Sequence, residues 1–260
     1  MTLPAIFVGH GSPMNAIDPA SHYNRAFLQT ATAIAKPQAI LMVSAHWIGR
    51  DLRIMSGAHN PILYDFYGFP EALYEAEYPA PGAPELAARV GELLAGYPLH
   101  ADPDRGLDHG AWAVLKFLYP DADIPVVQLS LNRLQPAQWH FNLAKKLSAL
   151  REQGVLIIGS GNIVHNLRAI SWEHIEQIGA GYDWAYAFRD RINHAMTTQN
   201  NDELVHYEQF GEGAALSVPT PDHYLPLLYV AALREPDEKV AFFNDHLIAG
   251  SLSMTSVLVG

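Results

Sequence analysis

The stretch Pro4-Ala5-Ile6-Phe7-Val8-Gly9-His10-Gly11-Ser12-Pro13 decides how the rest of the chain is read. Its first five residues are apolar, rich in branched and aromatic side chains, and too few for a helix. They predict a buried strand over 4–8. The Gly-His-Gly-Ser-Pro that follows supplies turn formers and sets an imidazole at the strand's carboxyl end. The same theme recurs downstream. A second strand over 39–44 runs into Ser44-Ala45-His46-Trp47, and a strand over 155–158 runs into Gly159-Ser160-Gly161-Asn162 with His165 close behind. Further strands are predicted over 126–131, 240–243 and 254–259.

Between these strands lie segments with apolar residues at helical spacing: 23–35, 84–96, 111–118, 136–151, 183–197 and 224–233. Ala83-Pro84-Glu85 puts proline and a carboxylate in a first turn, where the missing N–H costs nothing and the charge suits the helix dipole. Asp183 reads as the N-cap of the helix after it. Alternation of this kind predicts an α/β fold: a central, mostly parallel sheet with helices on both faces, its last two strands added antiparallel. The 260 residues are one large domain or two small ones. No low-complexity linker, repeat or long charge run divides them, so a single domain over 1–260 is expected. Segment 59–82, dense in Tyr, Phe, Pro and Gly, reads as a long ordered loop or lid. Its aromatics form either a wall for a ring-shaped substrate or the loop's own small core.

Composition excludes several functions. With 49% hydrophobic and 17% charged residues the chain can bury a substantial core. Sixteen Lys and Arg against 27 Asp and Glu leave a net charge of −11, which repels phosphate backbones, so no nucleic-acid partner is expected. No apolar run approaches the roughly 18–20 residues that span a bilayer, and no membrane partner is expected. The first residues lack the basic and apolar regions of a signal peptide, so the cytoplasm is the expected location. The absence of cysteine excludes disulfides, thiolate metal sites and a cysteine nucleophile. Any transition-metal site must therefore use imidazole and carboxylate.

Thirteen histidines offer the imidazole. His100, His140, His174, His194, His206 and His246 are expected at solvent-facing positions, and His22 and His59 are not assigned. The other five are different. In open α/β sheets, ligands bind beyond the carboxyl ends of the strands, where His10, His46 and His165 fall. His109 and His223 lie in turn-like settings, Leu107-Asp108-His109-Gly110-Ala111-Trp112 and Pro219-Thr220-Pro221-Asp222-His223-Tyr224. Taken singly, each is an ordinary hydrogen-bonded histidine. Taken together, they point to a shared metal or acid/base site. Gly9-His10-Gly11-Ser12 is similar to the His-Gly oxyanion segment of some hydrolases, but no G-x-S-x-G supplies a nucleophile. No phosphate-binding loop or dinucleotide fingerprint is present either.

Seven segments together carry a resemblance. They are Gly9-His10-Gly11-Ser12-Pro13-Met14, Val43-Ser44-Ala45-His46-Trp47, Tyr78-Pro79-Ala80-Pro81-Gly82, Leu107-Asp108-His109-Gly110-Ala111-Trp112, Asp123-Ile124-Pro125-Val126-Val127-Gln128-Leu129-Ser130, Gly159-Ser160-Gly161-Asn162-Ile163-Val164-His165-Asn166-Leu167 and Pro219-Thr220-Pro221-Asp222-His223-Tyr224-Leu225-Pro226. Through them the chain resembles the class III extradiol ring-cleavage dioxygenase superfamily, in its 4,5-DOPA extradiol dioxygenase subgroup. The resemblance implies one divalent metal, Zn2+ as purified and Fe2+ for turnover, acting on a small aromatic diol and O2. It implies His10, His46, His165 and His223 as metal ligands, with His109 and His165 as catalytic acid/base residues, so that His165 is claimed for both roles. The sequence departs from the broader superfamily in having His223 where a glutamate ligand is usual, which removes the carboxylate from the 2-His-1-carboxylate triad. A zinc hydrolase or a non-catalytic zinc-binding protein on the same fold are the alternatives, and oligomeric state is open.

Overall fold

The computed structural model describes residues 2–175 and 177–260. The strand after residue 4 forms as β1 (Ala5–Gly9), fully buried along its length. β2 (Ala39–Gly49) runs five residues further than its apolar pattern, β5 (Val126–Asn132) is buried throughout, and β6 (Val155–Gly161) continues through its Gly-Ser-Gly. Two short strands, β3 (Leu52–Met55) and β4 (Leu99–Asp102), were not expected. Each has four residues, and β4 is an edge strand with His100 exposed, so neither carries a strong apolar period. Near the C-terminus come β7 (Val240–Phe243), the two-residue strands β8 (Leu247–Ile248) and β9 (Leu252–Ser253), and β10 (Ser256–Val259).

The main sheet has the order β4-β3-β5-β2-β6-β1-β10-β7. β1, β6, β2 and β5 are parallel neighbours, whereas β10 pairs antiparallel with both β1 and β7. The sheet also reverses direction between β5 and β3. Its central strands bury Phe7, Leu41, Met42, Val43, Ile157 and Ile158 completely. Such near-continuous apolar runs are typical of parallel strands covered on both faces.

The helices are α1 (His22–Thr32), α2 (Glu71–Tyr74), α3 (Pro84–Leu93), α4 (His109–Leu118), α5 (Ala137–Lys145), α6 (Ala149–Glu152), α7 (Asp183–Thr198), α8 (Asn201–Val205), α9 (Glu212–Ser217) and α10 (Leu225–Ala231). The single helix expected over 136–151 is two, because Lys146 and Leu147 donate to the carbonyls three residues back and tighten the chain out of α geometry. Tyr182, not Asp183, is the N-cap of α7; Asp183 is its first residue, where its charge still meets the dipole. Two adjacent residues of β6 show which helices cover which face. A Cβ at Gly159 would strike the carbonyl of Pro226 in α10, whereas the Ser160 hydroxyl donates to the carbonyl of Gly110 in α4. Neighbouring side chains of a strand point to opposite faces, so α10 and α4 cover opposite sides of the sheet. Among the described residues no helix is long and apolar enough to cross a membrane.

His140 contradicts its expected exposure. It is fully buried in α5, with Nδ1 3.0 Å from the Tyr229 hydroxyl and Nε2 donating to the Asn132 carbonyl at 3.0 Å. Burial lowers its pKa to about 4. His100, His194 and His206 are exposed as expected, and His174 and His246 are half-buried.

Candidate metal centre and active site

The sheet topology explains why histidines far apart in sequence meet. β1 and β6 are parallel and end in register at Gly9 and Gly161, so the chain leaves β1 with His10 N–H donating to the Gly161 carbonyl at 3.2 Å. His46 lies inside β2 where the ladder to β5 is interrupted between Val43 and Ile48, an irregularity of the kind that re-aims side chains next to active sites. His223 closes the turn before α10. The approach is tight: a Cβ at Gly161 would sit 2.1 Å from the His223 carbonyl, so only glycine lets this turn reach the strand end. His109 opens α4, where Asp108 caps the helix by accepting from Ala111 N–H.

The five imidazoles expected to share a site do converge. Ring centroids of His10, His46 and His223 form a near-equilateral triangle with sides of 4.9, 5.3 and 5.1 Å. His109 lies 3.9 Å from His46 and 5.6 Å from His10. His165 is stacked on His223, 3.4 Å between centroids and 5° from parallel. Two sets hold ligand atoms within 4.8 Å of one another: His10 with His46 and His109, and His165 with Asp222 and His223.

Hydrogen bonds decide which nitrogen of each ring is free. Ser160 spends its one hydroxyl proton on the Gly110 carbonyl at 2.6 Å, so toward His10 it can only accept. His10 Nδ1, 3.0 Å away, therefore carries a proton and its Nε2 carries the lone pair. His223 Nδ1 is held by the Asp222 carboxylate. Burial would raise the Asp222 pKa, but the hydrogen bond and charge of His223 outweigh it and hold the acid well below its usual range. His109 gives both its backbone N–H, at 2.9 Å, and Nδ1, at 3.0 Å, to the two oxygens of Asp65. In each case Nδ1 faces a protein acceptor and Nε2 remains unspent.

The unspent nitrogens suit a cation. His46 Nε2 lies 3.0 Å from His10 Nε2, and His46 Nδ1 is 3.7 Å from Asp65. At that distance the two Nε2 atoms either share a proton in an N–H···N hydrogen bond or, with His46 protonated on Nδ1, turn both lone pairs toward a common cation. Burial is the largest influence lowering the His10 pKa, followed by the neighbouring histidines; the same influences, despite Asp65, lower His46 to about 2. Burial and His223 lower His165 to about 3. Neutral imidazoles with free nitrogens are the ligand form preferred by first-row divalent metals.

A polar layer beneath the rings fixes them. Asp108, wholly buried, accepts from Ser44 Oγ at 2.7 Å and from Gln128, and Ser44 in turn accepts from His46 N–H at 3.2 Å. Burial raises the Asp108 pKa, and those two hydrogen bonds oppose the rise. A Cβ on Gly110 would lie 2.4 Å from Ser44 Oγ, so glycine is required where α4 meets β2. The aromatic segment turns out to be anchored. Tyr64, Phe66 and Tyr74 pack on one another, Tyr64 and Phe66 reach Trp112 of α4, and Phe66 presents an edge contact to His109 at 5.8 Å. It is mainly the loop's own core.

Sequence reading missed Asp65, Asp222 and Asp108 as partners of the histidines. For Asp65 one signal was present: it is the only charged residue between Pro61 and Pro70.

An α/β sheet that gathers five histidines at one rim offers a site that could hold a metal, and comparison with known proteins assigns its family. Residues 4–245 match the family described as the catalytic LigB subunit of aromatic ring-opening dioxygenase. The chain is 45% identical over 262 residues to a protein of Escherichia coli (strain K12) named 4,5-DOPA dioxygenase extradiol, covering 99% of this chain and 95% of that one. It is 37% identical over 257 residues to a Beta vulgaris protein of the same name, covering 96% and 94%. A crystal structure of an uncharacterized Escherichia coli K12 protein superposes with a TM-score of 0.86 at 42% identity, covering 99% of this chain and all of that one. The chain belongs to the LigB family, and the resemblance to class III extradiol dioxygenases read from its motifs is correct. It is a metal-dependent, ring-opening dioxygenase.

Proposed function

We propose that residues 1–260 form one catalytic domain that opens the ring of a DOPA-like catechol next to one of its hydroxyls. His10, His46 and His223 are the metal ligands, Fe2+ is the working metal, and Zn2+ is the ion retained on purification. The observation that carries the ligand set is the near-equilateral triangle of those three rings. The expected fourth ligand, His165, also expected as an acid/base residue, is assigned instead as a neutral polar contact to the substrate. Lone pairs of parallel, stacked rings run side by side and do not meet at one point, so His165 and His223 are poorly arranged to share an ion. Relatives of this chain carry DOPA in their names, which supports that substrate class.

The chemistry a divalent metal supplies there is Lewis-acid activation of the two catechol oxygens and electron transfer to O2. The protein does the rest. His109, with Nδ1 tied to Asp65, takes the catechol proton at Nε2 and later returns it to the opening product. A histidine suits both directions because its ordinary pKa lies near neutrality. His165, stacked on His223, offers a second polar contact to the substrate. Asp222 supplies negative charge to the all-histidine ligand set through the Nδ1 of His223.

The test is to load metal-free protein with Fe2+ anaerobically, add DOPA and a panel of simpler catechols with oxygen, and follow oxygen uptake and the yellow ring-opened product. Zinc-loaded protein is the control. Turnover by the iron form alone is expected, and His109→Ala is expected to keep its metal while losing about 10²–10⁴-fold in kcat. Folded, iron-loaded protein that opens no catechol would refute the assignment.

A further inference from the structure

The carboxylate of Asp65 comes from the aromatic segment, not from any strand end, and it clamps a single residue twice. Oδ1 accepts the backbone N–H of His109 and Oδ2 accepts its ring Nδ1. The same Oδ2 lies 3.7 Å from His46 Nδ1. Asp65 also faces the N-terminus of α4, where unpaired N–H groups favour an anion. Burial would raise its pKa, but the hydrogen bonds and charge of His109 more than compensate, so it is held below the usual carboxylate range.

Its position is not that of a floppy loop residue. Leu63 N–H donates to the Leu107 carbonyl at 2.8 Å, Leu107 N–H donates to the Pro61 carbonyl at 2.9 Å, and Trp112 Nε1 donates to the Leu63 carbonyl at 3.2 Å. On either side of Asp65, the Tyr64 hydroxyl donates to the Ala76 carbonyl at 3.0 Å and Phe66 packs against Trp112 and His109. The segment is stitched to the start of α4 on both sides of the carboxylate.

We propose that Asp65 is a positioning residue that sets the tautomer of His109. By accepting two N–H groups at once it keeps the ring proton on Nδ1 and leaves Nε2 as the only base facing the reacting hydroxyl. The inference rests on His109 being the acid/base of the ring-opening reaction. An asparagine in its place offers one acceptor and one donor. The backbone N–H cannot change its role, so the amide oxygen takes that bond and the amide NH2 meets Nδ1. The ring then answers by carrying its proton on Nε2, where the base should be.

The experiment uses zinc-loaded protein with 15N-labelled histidine rings for NMR and iron-loaded protein for kinetics. In the wild type His109 is expected with its proton on Nδ1. In Asp65→Asn the proton moves to Nε2, kcat falls about 10²–10³-fold, KM changes by less than about threefold, and metal uptake stays stoichiometric. Asp65→Glu restores the Nδ1–H form and part of kcat. Asp222→Asn, the same change beside His223, leaves the His109 tautomer unaltered. If Asp65→Asn keeps the Nδ1–H form, or flips it without loss of kcat, the proposal is overturned. A wild type without turnover is the separate failure of the ring-opening assignment, and the ring spectra still decide for or against Asp65.

Discussion

His140 and His10 are the same residue type, both within the fold, both with pKa values pushed down by burial, and they do opposite things. His140 sits between α5 and α10 with each ring nitrogen matched, one to the Tyr229 hydroxyl and one to the Asn132 carbonyl. Nothing on that ring remains for a ligand. His10 has a protein partner for Nδ1 alone, and its Nε2 is turned toward the Nε2 of His46. Burial and a lowered pKa thus fail to separate a structural imidazole from a functional one. What separates them is a nitrogen that the protein has left unspent.

The largest effects that test this contrast come from His10→Ala and His46→Ala. Each should abolish stoichiometric metal retention and turnover while the fold persists, as read by elemental analysis and thermal unfolding. Retained metal in either variant would remove that histidine from the ligand set. His140→Ala should do the reverse, keeping the metal but losing about 2–4 kcal/mol of folding stability from a cavity and two orphaned polar groups.

That deficit should depend on pH in a defined direction. The folded pKa of His140 is about 4 against an ordinary 6.5, so between those values the unfolded chain binds the proton that the folded one excludes. The contribution is therefore complete above pH 6.5 and lost as pH falls toward 4, a change on the order of 3 kcal/mol. Denaturant titrations of wild type and variant should converge as pH drops through that window, and a gap independent of pH would contradict the buried, neutral ring.

Smaller effects sharpen the same line. Ser160→Ala removes the acceptor that orients His10 and should weaken metal affinity by about 10–100-fold, at a stability cost of about 1–2 kcal/mol from the two lost buried hydrogen bonds. Tyr229→Phe removes a partner of His140 and should cost about 1 kcal/mol of stability with metal affinity unchanged. If the two variants traded phenotypes, the distinction between spent and unspent nitrogens would fail.

The legible parts of the fold were those governed by local pattern. The buried runs of β1, β2, β5 and β6 declared themselves, because a strand covered on both faces must be apolar at nearly every position. The turn residues after them marked where polar groups emerge, which brought out His10, His46 and His165. β3 and the edge strand β4 were missed because each has only four residues: β3 is interrupted by the exposed Arg53, and β4 buries none of its residues fully. His140 was misplaced because its partner Tyr229 is 89 residues away, and nothing near residue 140 announces it. Asp65 was read as part of an aromatic loop because its link to His109 spans 44 residues and exists only once 61–66 is stitched beside α4.

The sequence by itself determined the α/β class and singled out the five histidines that meet, since alternation, turn chemistry and the family motifs are written in neighbouring residues, although His46 lies within β2 and not beyond its end. The tertiary structure alone decided which face of each ring is free. A tautomer is set by whatever hydrogen-bonding group lies against the ring. For His10 that group is Ser160, 150 residues on, and for His109 it is a carboxylate on a separate loop. Contacts of that kind arise from packing between distant segments, so no local pattern in the chain encodes them.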